Sequence, residues 1–327
     1  VRALQVTRLA GPAGVEIADV PDPTSGPDQV LIDVHAVGLG FPDLLLSRGD
    51  YQMRPQLPFV LGTDVAGVVR RTPPGAGLSV GDRVAAFTWI GGAAEIVAVS
   101  PDMALKLPDN VSLRTAAAVP MNYLTVHFAL RHRGNLRAGE TVLVQGAGGG
   151  IGTAAIALAK ALGATVFAVV SSAEKAAIAR QAGADHVLAA DAFRQELTDI
   201  TGGKGIDVVV DPVGGDRFID SLRTLDPDGR LLVIGFTSGE IPTVKVNRLL
   251  LNNISVIGVA WSEYAVAHPG FVQRQWADLA PYLASGAIQP PLAPPYSLEE
   301  AETALADLAA RRLVGKVVLD LRRQRSL

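Results

Sequence analysis

The run Ala147-Gly148-Gly149-Gly150-Ile151-Gly152 constrains this chain more than any other stretch, because a strand enters it and a helix leaves it. Thr141-Val142-Leu143-Val144 is a short β-rich apolar run, and Thr153-Ala154-Ala155-Ile156-Ala157-Leu158-Ala159-Lys160 continues as an Ala-rich helix. The fingerprint is A-x-G-x-x-G, with Ala147 first and Gly149 and Gly152 at the other two positions. Glycines there let the backbone turn sharply and approach a pyrophosphate, which the N–H groups at the helix start then face. A bare turn explains one glycine as well; the strand–turn–helix setting argues for dinucleotide binding.

Thr165 to Val170 reads as the second strand of a βαβ unit, and further short apolar runs follow at His186–Leu188, Ile206–Val210, Arg230–Ile234 and Ile254–Val259. Near-continuous apolar strands alternating with helices indicate a parallel sheet covered on both faces, and six of them make a doubly wound, Rossmann-like fold. A unit that binds NAD carries Asp or Glu about 20 residues beyond the glycines, on the ribose hydroxyls. Here the second strand ends in Ser171-Ser172-Ala173-Glu174-Lys175. Ser171, Ser172 and Lys175 offer donors to a 2′-phosphate, which favours NADPH over NADH. The plainer reading makes Ser172 a helix N-cap and Lys175 a solvated charge.

At 327 residues the chain can hold two domains, and a net charge of −3 leaves no basic footprint for nucleic acid. With no cysteine there is no disulfide or thiolate chemistry, which fits a cytoplasmic protein. The N-terminal residues lack a signal-peptide pattern. Ile151 to Val170 is apolar enough to suggest a membrane span, but Lys160 and the change of composition at Gly163-Ala164 argue for a buried helix and strand, so no membrane association is expected.

The first 120 residues read differently. Strand-like runs at Gln29–Val37, Val65–Val69, Arg83–Phe87 and Ala94–Val99 are separated by Gly- and Pro-rich turns, as in a small β-barrel. Val119 to Arg133 reads as a helix, as do Phe271–Ser285 and Ser297–Arg312, and Gly315–Leu319 closes the chain as a strand. The expected organisation is a β-rich catalytic domain begun by residues 1–120, a nucleotide-binding domain over 121–260, and a return segment over 261–327. The cleft between the domains would hold nicotinamide and substrate.

The order of motifs resembles the medium-chain dehydrogenase/reductase superfamily, and within it the zinc-free quinone oxidoreductase branch. They are Gly38-Leu39-Gly40-Phe41-Pro42-Asp43-Leu44-Leu45, Pro58 to Gly67, Val80-Gly81-Asp82-Arg83-Val84, Ala116-Ala117-Ala118-Val119-Pro120, Asn122-Tyr123-Leu124-Thr125, the glycine turn, Asp211-Pro212-Val213-Gly214-Gly215 and Gly315-Lys316-Val317-Val318. The resemblance implies that the barrel is GroES-like, with the Rossmann-like sheet inserted into it. Zinc members use Cys and His ligands. This chain has no Cys, reads Gly62-Thr63-Asp64 where they carry Gly-His-Glu, and places none of its five histidines at i, i+4. Without a Lewis acid, reducing an electrophilic quinone or enone is the natural chemistry.

By motif, the resemblance places Phe41, Asp43, Tyr51, Asn122 and Thr125 at the nicotinamide end. Tyr51 is the candidate proton donor or oxyanion partner, with a packed loop aromatic as the equal alternative; Asp43 is the second candidate catalytic group, better suited to fixing backbone than to moving a proton. Cofactor contacts are expected from Ala147, Gly149, Gly150, Ile151, Gly152, Ser171, Ser172 and Lys175, from Gly235, Phe236 and Thr237 after the fifth strand, and from Lys316 reaching back; no metal ligand is expected. Two departures stand out. Gly40 occupies the position of a usual Asn beside nicotinamide and substrate, and Ala190 that of a frequent Tyr near the adenosine. The resemblance implies a quinone or enone as the small-molecule acceptor, while Gly40 argues against simple quinone specificity and for a larger or altered acceptor pocket; an enoyl-thioester reductase or a non-catalytic NADPH-binding sensor or structural protein are the alternatives. The strand at Asn253–Val259 would lie at a sheet edge and invite a homodimer.

Overall fold

Period-two alternation of apolar side chains builds the first of two units in the computed structural model, which describes residues 1–24 and 26–323. This unit comprises Val1–Met121, Pro269–Ala284 and the chain from Leu292 on. Its strands are β1 (Arg2–Val6), β2 (Val15–Asp19), β3 (Val30–Leu39), β4 (Phe59–Val60), β5 (Asp64–Arg71), β6 (Arg83–Phe87), β7 (Ile96–Val99) and β8 (Ala104–Lys106). β1 pairs antiparallel with β2 and with β4. β3 pairs with β5 along one edge and with β7 at Val30–Asp33, and β5, β6 and β8 continue the sheet. Val30, Ile32, Val34, Val37 and Leu39 of β3 enter one core with Leu4 and Val6 of β1, Val65 and Val69 of β5, and Leu298, Ala301, Ala304 and Leu305 near the C-terminus. Of the first-unit strands, β1, β2, β4 and β8 were not legible as strands: β4 has two residues, β8 three, and β2 exposes most of its length. The helix α1 (Phe41–Arg48) follows β3 directly.

The second unit comprises Asn122–His268 and Ser285–Pro291. Its strands are β9 (Thr141–Val144), β10 (Thr165–Val170), β11 (His186–Ala189), β12 (Ile206–Asp211), β13 (Leu225–Val233) and β14 (Ser255–Gly258). All are parallel to their neighbours, in the order β11-β10-β9-β12-β13-β14. That is the 3-2-1-4-5-6 arrangement of a complete dinucleotide-binding sheet. The apolar stretch Ile151–Val170 divides into α2 (Gly150–Ala161) and β10, and among the described residues no helix is long and apolar enough to cross a membrane. The helix expected over Val119–Arg133 is present but irregular. Pro120–Leu124 and Phe128–Arg133 form wide turns around an α-helical Thr125–His127, a departure that composition alone does not encode. After β10, α3 (Ala173–Gln181) leads to β11. The chain re-enters the first unit, where β15 (Val317–Asp320) pairs with β3 at Ala36–Leu39 and completes that sheet.

Candidate nucleotide and active site

The glycine turn runs from the C-terminal end of β9 into α2. The N-cap of α2 is Gly149, and no side chain caps it, which leaves the first N–H groups of the helix available to an anion. A Cβ on Gly152 would lie 2.3 Å from the Gly146 carbonyl oxygen and 2.6 Å from Ala147 Cα, so only glycine lets the helix approach the turn this closely. Ala147 is fully buried beneath it. Gly149 is different: a Cβ there meets only the Gly146 oxygen, at 3.5 Å, so the space above the turn is open.

Several expected cofactor residues gather on this turn. The Asn122 side chain lies against Gly150, where a Cβ would come within 2.6 Å of Nδ2, and the Lys175 side chain lies over Gly148, where a Cβ would come within 2.7 Å of Lys175 Cβ and Cγ. Lys175 Nζ donates to Ser171 Oγ at 3.2 Å. Ser172 is the N-cap of α3, its Oγ accepting from the Lys175 N–H at 3.3 Å, so the capping role is realised while the hydroxyl stays exposed. Thr125 is buried in the helical segment that packs against α2. Gly235, Phe236 and Thr237 follow β13 and neighbour the turn after β12, where the Thr237 N–H donates to the Pro212 oxygen. Asp211 shapes that turn: its carboxylate accepts from the N–H groups of Val213 and Gly214 at 2.8 and 2.9 Å. Burial pushes the Asp211 pKa up, against those donors.

Sequence reasoning missed Arg180. It lines a groove of about 590 Å³ with Ser171, Ser172, Ala176, Ala190 and Asp191, at the ends of β10 and β11. Its spacing of four from Ala176 on α3 was the available signal.

In the first unit, Phe41 opens α1, and Tyr51 lies beyond its end, half-buried against the first unit's core. Asp43 is fully buried, with Oδ2 accepting from the Gly40 N–H at 2.8 Å and Oδ1 from the Gly62 N–H at 3.1 Å. Burial pushes its pKa up to about 6, while those donors and Lys316 pull the other way. Both oxygens accept from backbone N–H groups, so Asp43 ties the start of α1 to the segment before β5. Lys316 is buried on the same side of this unit. Its side chain is 5% exposed and its ammonium donates to Asp64 Oδ2 at 2.7 Å, while Asp64 Oδ1 accepts from the Met121 N–H at 2.8 Å. Burial drives the Asp64 pKa up against the pull of Lys316. Lys316 is thus half of a buried ion pair in the first unit.

Residues 26–109 match the family described as "Alcohol dehydrogenase GroES-like domain", and residues 150–281 match "Zinc-binding dehydrogenase". The chain is 37% identical to "Quinone oxidoreductase-like protein 2" of Bos taurus over 327 residues, covering 98% of this chain and 93% of that protein. Among solved structures, a "probable oxidoreductase" from Mycobacterium abscessus superposes with a TM-score of 0.88 at 45% identity, covering 98% of this chain and 99% of that one. The quinone oxidoreductase of Thermus thermophilus, described alone and in complex with NADPH, gives 0.86 at 35% identity, covering 98% and 100%. With a GroES-like first domain, a six-stranded parallel nucleotide-binding sheet and relatives matched along nearly its whole length, the chain belongs to the medium-chain dehydrogenase/reductase superfamily.

Proposed function

We propose that this chain is an NADPH-dependent reductase that passes hydride to a quinone or an α,β-unsaturated carbonyl compound without a metal. The observation that carries the cofactor assignment is the uncapped glycine turn with Lys175 laid across Gly148 and hydrogen-bonded to Ser171. The turn and the first N–H groups of α2 fit a pyrophosphate, and Ser171, Ser172 and Lys175 fit a 2′-phosphate; the position that in an NAD-binding unit carries the ribose carboxylate is a serine here, although Glu174 and Asp191 lie nearby. The NADPH complex of the Thermus thermophilus relative supports the same choice. Bound NADPH supplies hydride from its reduced ring. Zinc independence rests on the residues: the chain has no Cys, and among the described residues no three His, Asp or Glu side chains are grouped as metal ligands.

The test is oxidation of NADPH followed with a panel of quinones, enals and enoyl thioesters, beside calorimetric binding of NADPH and NADH. Lys175→Ala is expected to weaken NADPH by about 10- to 100-fold, the worth of one charge-assisted contact, and NADH hardly at all. Equal losses for both would remove Lys175 from phosphate recognition. Tight NADPH binding with no turnover of any acceptor would favour a sensor instead.

The same reading extends to assembly. β14 lies at one edge of the parallel sheet, and Leu250 and Leu251 on the helical turn just before it are about three-quarters exposed. Two copies pairing along β14 would cover both the unpaired edge and these leucines. Light scattering should give twice the chain mass; a monomer at micromolar concentration rules this pairing out.

A further inference from the structure

Gly40 sits at the N-cap of α1 and is partly exposed, whereas the Lys316 side chain beside it is buried. The Lys316 side chain crosses Gly38, where a Cβ would lie 2.9 Å from Cε, and ends 3.3 Å from the point that a Cβ on Gly40 would occupy. The two glycines therefore form the channel in which this lysine lies. An ammonium has three N–H donors. One is taken by Asp64, and among the described residues no other acceptor holds Lys316. A buried cation with spare donors demands a further acceptor, and the side left open by the missing side chain of residue 40 is where one can approach.

We propose that Lys316 is a catalytic hydrogen-bond donor that holds the carbonyl oxygen of the acceptor in the space left by Gly40. The inference rests on the enone or quinone reductase reading above. The charges around the space define the ligand: Asp43 Oδ2 lies 3.9 Å from the same Cβ point and Asp64 already neutralises the ammonium. A carboxylate or phosphate would meet two acidic groups, whereas a neutral carbonyl oxygen meets a donor. During reduction, hydride adds to the β-carbon of the enone, the C=C pair shifts toward the carbonyl carbon, and the carbonyl pair moves onto oxygen. Lys316 stabilises that growing charge, and a solvent proton at the α-carbon completes the saturated product, the coenzyme leaving oxidised.

A neutral push–pull enal, 4-(dimethylamino)cinnamaldehyde, reports this contact, because its absorption moves to the red when its carbonyl oxygen accepts a strong hydrogen bond. It is titrated into the enzyme saturated with NADP⁺, so that nothing turns over. The wild type is expected to shift the band. Gly40→Ala, which fills the space and asks the Lys316 ammonium to give by only a few tenths of an ångström while Lys316 and Asp64 both remain, and Lys316→Met/Asp64→Asn, which removes the ion pair without stranding a charge, are expected to abolish the shift. Both should lower kcat by about 10²-fold, the usual cost of losing one such donor, with NADPH affinity unchanged. An unshifted band in the probe-saturated wild type, or a shift retained by Lys316→Met/Asp64→Asn, overturns the assignment. Absence of turnover with every quinone and enone would instead overturn the reductase reading.

Discussion

Lys316→Met is expected to lower the stability of the first unit by about 3–5 kcal/mol, while Lys316→Met/Asp64→Asn recovers most of it. The reason is desolvation. Asp64 is fully buried, its Oδ2 paired with Lys316 at 2.7 Å and its Oδ1 held by the Met121 N–H. Removing the lysine leaves a carboxylate away from water with one backbone donor, the costly half of a buried pair. In the double variant no charge remains, and the Asn oxygen still accepts from Met121. Denaturant unfolding compares the three proteins. If the single variant is as stable as the double, the pair is better hydrated than its burial indicates, and the lysine is dispensable to the fold. The exposed pairs offer an internal control: Arg70–Asp33 and Lys160–Asp185 are each at least a quarter exposed, and breaking them should cost no more than about 1 kcal/mol.

This pair also marks where sequence reading stops. The parallel sheet was legible because β9, β10 and β12 are buried on both faces and therefore nearly all apolar. The glycine turn was legible because close approach forbids a Cβ at Gly152. Ser171 and Lys175 are four apart around the start of α3, so local geometry alone brings them together. Asp64 and Lys316 are 252 positions apart, and only the antiparallel pairing of β3 with β5 on one side and β15 on the other makes them neighbours. Nothing local to Gly315-Lys316-Val317 says that its ammonium is buried. Asp43 was half legible: an acid at the third position of a helix suggests a cap, but its second acceptor contact, to Gly62, comes from the segment before β5.

Gly149→Ala and Gly152→Ala are expected to weaken NADPH binding in two different ways. At Gly149 the backbone conformation (φ −91°, ψ 177°) is open to alanine, and the added methyl meets only the Gly146 oxygen at 3.5 Å. The variant should therefore unfold at the wild-type temperature. It should nevertheless lose about 10- to 100-fold in NADPH affinity, because the methyl stands where the pyrophosphate must approach the helix N–H groups. At Gly152 the methyl would lie 2.3 Å from a backbone oxygen that no side-chain rotation can move. Helix and turn must part, so stability falls with binding, by about 1–3 kcal/mol for overpacking of this kind. Thermal unfolding and coenzyme titration of both variants separate the effects. Wild-type NADPH affinity in Gly149→Ala would move the pyrophosphate away from this turn. An unchanged melting temperature in Gly152→Ala would mean that α2 and the turn yield to each other at little cost. The different stability responses at two glycines three residues apart follow from one geometric fact: Gly152 faces the turn that carries it, and Gly149 faces the space above.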